Sequence, residues 1–470
     1  MITKECMANQ IKQLLNKIEA VGPLNKILRL EWPCEPLSIL SWLNSPKLEH
    51  KFYYSSRDEQ FEMGGIGIAD CLQGNNCHAR ESGHPGKILK DIFDQMEAGL
   101  SADNPYLRYY GGLSFAPHLD PLPIGERMKG EGDEWQDFPN YHFFIPRFEI
   151  VHRASQWIFA FNILNEDIRE GKINEILNQL EKINFESAQY SSPLKEKISS
   201  KSPQNIPDKK EWEDIFTKIK HRMEKGDFEK IVLARKTTYE FNEPLNPWNL
   251  LACLKEKTRA CFHFCLTLND QTAFLGASPE RLFKREGRNI QTEALAGTKP
   301  RGKNNPADQQ QKEELKFSLK DNQEHLFVVN FIKDILKTIC SSVKFDKQPK
   351  IFEQNAGHHL ITQFNGILKP QISDDQIIFS LHPTPAVGGY PKDKALKCIK
   401  KFEPFDRGWY AGILGFVGYE EAEFCVAIRS GLVSDKKLAL YAGAGIVKES
   451  TMEGEWNEIE EKIKSFNVLS

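Results

Sequence analysis

From Asp321 the run DNQEHLFVVNFIKDIL repeats apolar residues at helical spacing. At about 100° per residue, Val328, Val329, Phe331, Ile332, Ile335 and Leu336 fall on one broad arc. The C-terminal segment GEWNEIEEKIKSF repeats the pattern with Trp456, Ile459, Ile463 and Phe466, and Trp212, Ile215, Ile219 and Met223 form a third stripe that Gly226 closes. Short apolar runs bounded by turn residues predict strands over Lys51 to Tyr54, Gly65 to Ala69, Tyr141 to Val151 and Trp157 to Phe161, and another opens at Lys230 in KIVLARKTTYEF. These elements predict a mixed α/β protein. Between Ser191 and Lys210 the run SSPLKEKISSKSPQNIPDKK reads as an exposed connector. It separates a scaffold part, 1–200, from a second unit, 210–470.

Two of the helical stripes carry carboxylates where apolar residues belong. Asp321 and Glu324 stand i, i+3 inside the first arc, and Glu455 and Glu458 repeat that spacing beside Lys462 on the last helix. A buried carboxylate needs a cation. Taken singly, the pairs read as well as a helix-capping pair and a solvated face. Two such pairs together point to one shared divalent ion, and an all-oxygen ligand set favours Mg²⁺.

Other ionisable groups close apolar runs. Lys230 precedes IVLA, Glu280 follows AFLGASP, and Arg429 ends FCVAIR. Each has a bland alternative: a snorkelling lysine, a turn glutamate, an ion-paired arginine. The chemical alternative is a desolvated amine that acts as a base. In YAGAGIV, Gly443 and Gly445 would let backbone amides approach a carboxylate, or form a simple bulge. Gly297 to Lys303 mimics a phosphate-binding loop, but Asn304 stands where Ser or Thr is required. Cys71, Cys77, His78 and His84 match no zinc spacing, so Cys71 to Gly86 reads as an exposed loop or insertion without chemistry.

Composition narrows the field. Among 470 residues, 62 Lys and Arg oppose 65 Asp and Glu, a net charge of -3 that argues against a nucleic-acid partner. The longest apolar region, Phe143 to Leu164, is broken by Arg147, Glu149, His152 and Arg153, which argues against a membrane span. Lys4, Glu5, Lys12, Lys17 and Glu19 leave no apolar secretory core, and ten scattered cysteines read as small hydrophobes. The expectation is a cytoplasmic chain without disulfides.

The blocks KIVLAR, GASPERL, EALAGT, KDNQEH, HHL, LHPTPAVGGYP, FEPFDRGWYAG, FCVAIRSG, YAGAGIV and GEWNEIEEK occur in one order from Trp212 to Phe466. In them the chain resembles the chorismate-utilising enzymes: isochorismate synthases, salicylate synthases, and the large chains of anthranilate and aminodeoxychorismate synthases. The resemblance implies two large β-sheets forming a sandwich surrounded by helices. It implies Glu324 and Glu458 as direct Mg²⁺ ligands, and Asp321 and Glu455 as acids holding the metal through water. Arg429, Lys462 and the amides around Gly443 and Gly445 would grip substrate carboxylates, with Tyr410, His359, Gly297, Thr298 and Thr384 lining the pocket. Lys230 would activate water for attack at C2 of chorismate, and Glu280 would protonate the departing C4 hydroxyl.

A lysine at 230 implies that water, not an amine, is the nucleophile. Ala296 argues against an aminodeoxychorismate synthase, and no glutamine-amidotransferase segment is present. The run FDRGWYAGILGFVGYEEAEFCVAIRSG is most similar to isochorismate synthases of the menaquinone type, with salicylate synthases as the runner-up. A catalytically silent partner subunit is the remaining alternative, and the intact Lys230, Glu280 and four acids oppose it. The substrate implied is chorismate alone, and the assembly a monomer or homodimer.

Overall fold

Every strand pairing among the described residues is antiparallel, and the pairings join twenty strands into one hydrogen-bonded network. The computed structural model describes residues 7, 9–11, 13, 26–45, 48–75, 85–116, 134–185, 202–355 and 357–466. The network has two limbs. One runs outward from Phe61–Gly74 through Lys51–Ser55, Phe262–Thr267, Thr272–Ser278, Ser430–Ser434 and Lys437–Ile446 to Lys230–Glu240. The other runs from Tyr141–Arg153 through Arg108–Leu113, Ile413–Gly418, Glu421–Val426, Arg281–Glu286 and Asn289–Pro300 to Gly357–Leu368. They join where Phe61–Gly74 pairs with Tyr141–Arg153.

The two limbs face each other across an aromatic core. Phe52 and Tyr54 on the first meet Tyr110 and Phe416 on the second, with ring centroids 5.9 and 6.0 Å apart. The fold is thus a mixed α/β sandwich with helices outside it. Strands from the first 200 residues pair directly with strands beyond 260, as Lys51–Ser55 does with Phe262–Thr267.

Two short connections cross directly from limb to limb, Ser278 to Arg281 and Val426 to Ser430. There the chain leaves one ladder before entering the next, so its side chains are free to point into the space between. Glu280 and Arg429 sit on these crossings. Arg429 is therefore not the last residue of a strand, as its run suggests; the strand ends at Val426, and Arg429 adopts φ +49 in the bend.

The predicted helices form as Lys209–Glu224, Leu319–Ile339 and Met452–Ser465. On the second, the buried stripe is Asp321, Glu324, His325, Val328, Ile332, Leu336 and Ile339, narrower than the apolar arc. Val329, Phe331 and Ile335 are only partly buried, because the helix lies along a strand and presents a single row to it. Part of the expected connector is ordered: Gln204–Ile206 pairs with the strand that begins at Lys230. Residues 186–201 lie outside the described residues. So do 76–84, with Cys77, His78 and His84, while Cys71 lies in the long Phe61–Gly74 strand, three residues before its end. No disulfide joins the eight described cysteines. No helix among the described residues is long and apolar enough to cross a membrane. The stretch that mimics a phosphate loop is strand as far as Pro300.

Candidate active site

Lys230 opens the central strand Lys230–Glu240, whose first eight residues are all buried. Its Nζ is fully buried, with Glu324 Oε1 3.0 Å away. That approach depends on Gly445 of the neighbouring strand, because a Cβ there would stand 2.3 Å from Glu324 Oε1 and 3.2 Å from Lys230 Cε. Asp321 lies one turn earlier, in the first turn of a helix that Ser318 caps. Gly297 makes room for it at a register shift of the Asn289–Pro300 strand; its φ is +76, and a Cβ would meet Asp321 Cβ at 3.1 Å.

The second acidic pair arrives on the helix Met452–Ser465. Lys320, beside Asp321, reaches across to it, with Nζ 2.7 Å from Glu455 Oε1 and 3.6 Å from Glu458 Oε2. Lys462 donates to Glu458 Oε1 at 2.9 Å and to the Gly443 carbonyl at 2.8 Å. Burial, then Glu458, pushes Glu455 up. Burial would raise Glu458 too, but Lys462 and Lys320 outweigh it and hold Glu458 below the usual carboxylate range. Burial, the largest effect, also raises Asp321. The N-termini of two helices therefore converge on four carboxylates, and Lys320 and Lys462 supply compensating charge.

These residues suit Mg²⁺. All four donors are hard oxygens, and both Glu455 oxygens are buried without accepting a well-aligned hydrogen bond. A second candidate cluster, Asp308, Glu353 and His358, is already neutralised by Arg301 and Lys312.

Glu280 approaches from the limb crossing. Thr384 hydrogen-bonds its carboxyl, and Lys230, Lys462 and Tyr410 are its charged or ionisable neighbours on the pocket side. Burial, then the nearby Glu293, pushes it up to about 8. At neutral pH it is a protonated donor.

Arg429 has no carboxylate partner among the described residues. It donates instead to Gln354 Oε1 at 3.0 Å and to His359 Nε2 at 2.8 Å. Since guanidinium only donates, His359 Nε2 is the acceptor and its Nδ1–H faces Thr298 Oγ1 at 3.0 Å. Burial and then Arg429 hold His359 well below its ordinary range, so it stays neutral. Gly443 and Gly445 oppose Ala234 and Val232, whose own amides point to Glu403 and Gly388, away from them. The two glycine amides thus turn toward the open edge, where Lys462 already meets the Gly443 carbonyl. Tyr410 stacks on Tyr441, with its Oη near Gly443.

The fifteen residues to which the resemblance assigns roles are joined by this chain of contacts, with Lys462 near both Glu458 and His359. Lys320 and Gln354 were not among them. On its own helix Lys320 has Glu324 four residues on, and its ion-pair partners Glu455 and Glu458 come from the second helix. Gln354 stands in no charged or glycine-marked run.

A family model described as chorismate binding enzyme matches residues 12–469. This chain belongs to the chorismate-binding enzymes. It is 31% identical over 482 residues to a chloroplastic isochorismate synthase of Catharanthus roseus, covering 94% of this chain and 80% of that protein. It is 29% identical over 468 residues to isochorismate synthase MenF of Bacillus subtilis strain 168, covering 96% of each. Its fold matches the solved menaquinone-specific isochorismate synthase MenF from Escherichia coli with a TM-score of 0.79 and 25% identity, over 98% of this chain and 99% of that one.

In this chorismate-binding enzyme the raised Glu280 sets a pH limit. As a proton donor Glu280 would react in its protonated form, so kcat should fall about tenfold per pH unit above about pH 8. A pH–rate profile checks this, and the limb should be absent from whatever rate Glu280→Gln retains.

Proposed function

We propose that this chain is an isochorismate synthase that moves a hydroxyl from C4 to C2 of chorismate. The observation that carries the reading is a buried amine, Lys230, and a protonated buried acid, Glu280, in one pocket beside an arginine that lacks a carboxylate. That arginine, Lys462 and the Gly443 and Gly445 amides suit a dicarboxylate substrate. Thr298 and His359 keep Arg429 aimed, and Gly297 and Thr384 shape the wall near Asp321 and Glu280.

Lys230 takes a proton from water as its oxygen bonds to C2. The ring double bonds shift, and the C4–O bond breaks as Glu280 gives its proton to the departing hydroxyl. Water is consumed and water released, so the reaction is an isomerisation. Glu324, Glu458, Asp321 and Glu455 would hold Mg²⁺, whose positive charge would act on the ring carboxylate. The enzyme needs no amidotransferase, nucleic acid or membrane partner, and acts as a monomer or homodimer. A cytoplasmic address is in keeping with eight described cysteines that form no disulfide. Residues 210–470 carry the chemistry, and 1–200 complete the fold.

The test is product analysis of chorismate with purified protein and Mg²⁺. Isochorismate should accumulate without matching pyruvate. Salicylate with stoichiometric pyruvate would make the chain a salicylate synthase, and no turnover would make it a silent subunit.

A further inference from the structure

Glu280 lies where the chain passes between limbs, so ladder bonds do not hold its flanking peptides. Each of their polar groups is nevertheless matched. The Glu280 amide donates to Ser278 Oγ at 3.2 Å, and its carbonyl accepts from the Val426 amide at 3.0 Å. The Pro279 carbonyl accepts from Arg57 Nη1 at 2.8 Å, and the Arg281 amide donates to Glu293 Oε1 at 3.1 Å. Arg57 and Glu293 are themselves paired through both guanidinium arms; Nη1 meets Oε1, and Nη2 donates to Oε2 at 2.7 Å.

This clamp comes from a distant part of the chain. Arg57 stands in the turn between the strands Lys51–Ser55 and Phe61–Gly74, and its guanidinium lies over the rings of Phe352 and Phe262, 5.0 and 5.8 Å from their centroids. Glu293 is on Asn289–Pro300 and is buried. A guanidinium held by two rings and a bidentate carboxylate has little freedom, so the carbonyl it grips has little either.

We propose that Arg57 and Glu293 form a positioning pair that fixes the peptides on both sides of Glu280 and thereby aims its carboxyl at the departing hydroxyl. The pair places residues from the first 200 in service of the chemistry and rests on the reading of Glu280 as the acid. Glu293 also faces Glu280 as a negative charge, second only to burial in raising it. The other groups facing Glu280 are Lys230, Lys462, Tyr410, Cys425 and the Thr384 hydroxyl.

Two measurements test the pair. Infrared titration of the protonated-carboxyl band, assigned to Glu280 by its loss in Glu280→Gln, needs no turnover. In the isosteric Glu293→Gln its midpoint should move down by about one unit. In steady-state assays, Arg57→Ala should lower kcat about 10- to 100-fold with KM for chorismate within about threefold, and Arg57→Lys, which lacks the fork, should restore little of it. An unmoved midpoint in Glu293→Gln overturns the proposal. So does an Arg57→Ala or Arg57→Lys enzyme with wild-type kcat, whatever its melting temperature. If Arg57→Ala does not fold, Glu293→Gln still decides. A shifted midpoint in a wild-type protein that leaves chorismate unchanged would sink the proposed reaction and keep the electrostatic link.

Discussion

Lys230→Ala is expected to lower kcat by about 10²- to 10⁴-fold while KM for chorismate changes by less than about threefold. The lysine is fully buried at the start of a central strand, and among the described groups near its Nζ only Glu324 lies at ion-pair distance. Nothing else in the pocket can replace it as the base. Glu280 is protonated, His359 is committed to Arg429 and Thr298, and His325 holds Thr362. Arg429, Lys462 and the glycine amides remain to bind substrate, so binding should survive. Loss of the buried side chain should cost stability of order 1–3 kcal/mol, which leaves the protein folded at assay temperature. Steady-state kinetics and a melting curve on the same preparation check both parts. Turnover above about a tenth of wild type would remove Lys230 from the role of base.

Chelation is expected to abolish activity and Mg²⁺ to restore it, and Glu458→Gln or Glu324→Gln should lower kcat/KM by at least about 10²-fold at fixed Mg²⁺. Asp321→Asn and Glu455→Gln should weaken Mg²⁺ binding about 10- to 100-fold and leave more activity at saturating metal, because a contact through water is easier to replace. The charge pattern supports this ranking. Glu458 is the acid held ionised, by Lys462 and Lys320 against burial, whereas burial and Glu458 push Glu455 toward its neutral form. Thermal shift against Mg²⁺ concentration reads the affinity independently of turnover. Full activity in EDTA would remove the metal from the scheme.

Much of the site could be read from residue spacing. Carboxylates at i, i+3 in a stripe that must be buried show themselves without a structure, since burying unmatched charge is costly. Lys230, Glu280 and Arg429 show only as charges ending apolar runs, and each has an ordinary explanation when taken alone. The motif resemblance joined them before the fold did. Lys320 escaped notice because its partners lie on a helix 130 residues further along, and a sequence displays only the neighbours on the residue's own helix. Arg57 escaped for the same reason, at greater distance from Glu293.

By itself the sequence determined three of the helices and five of the strands, because periodicity is local, and the motif resemblance named the candidate reacting groups. The tertiary structure alone decided the rest. Burial, then Glu293, raises Glu280 and keeps it protonated at neutral pH, and its place between two sheets is what the proposed proton donor requires. The loss of the strand at Val426 turns Arg429 into the pocket, and Gly445 brings Glu324 within reach of Lys230. Protonation and aim depend on what surrounds a group in space, and in this protein those surroundings are assembled from segments more than 200 residues apart.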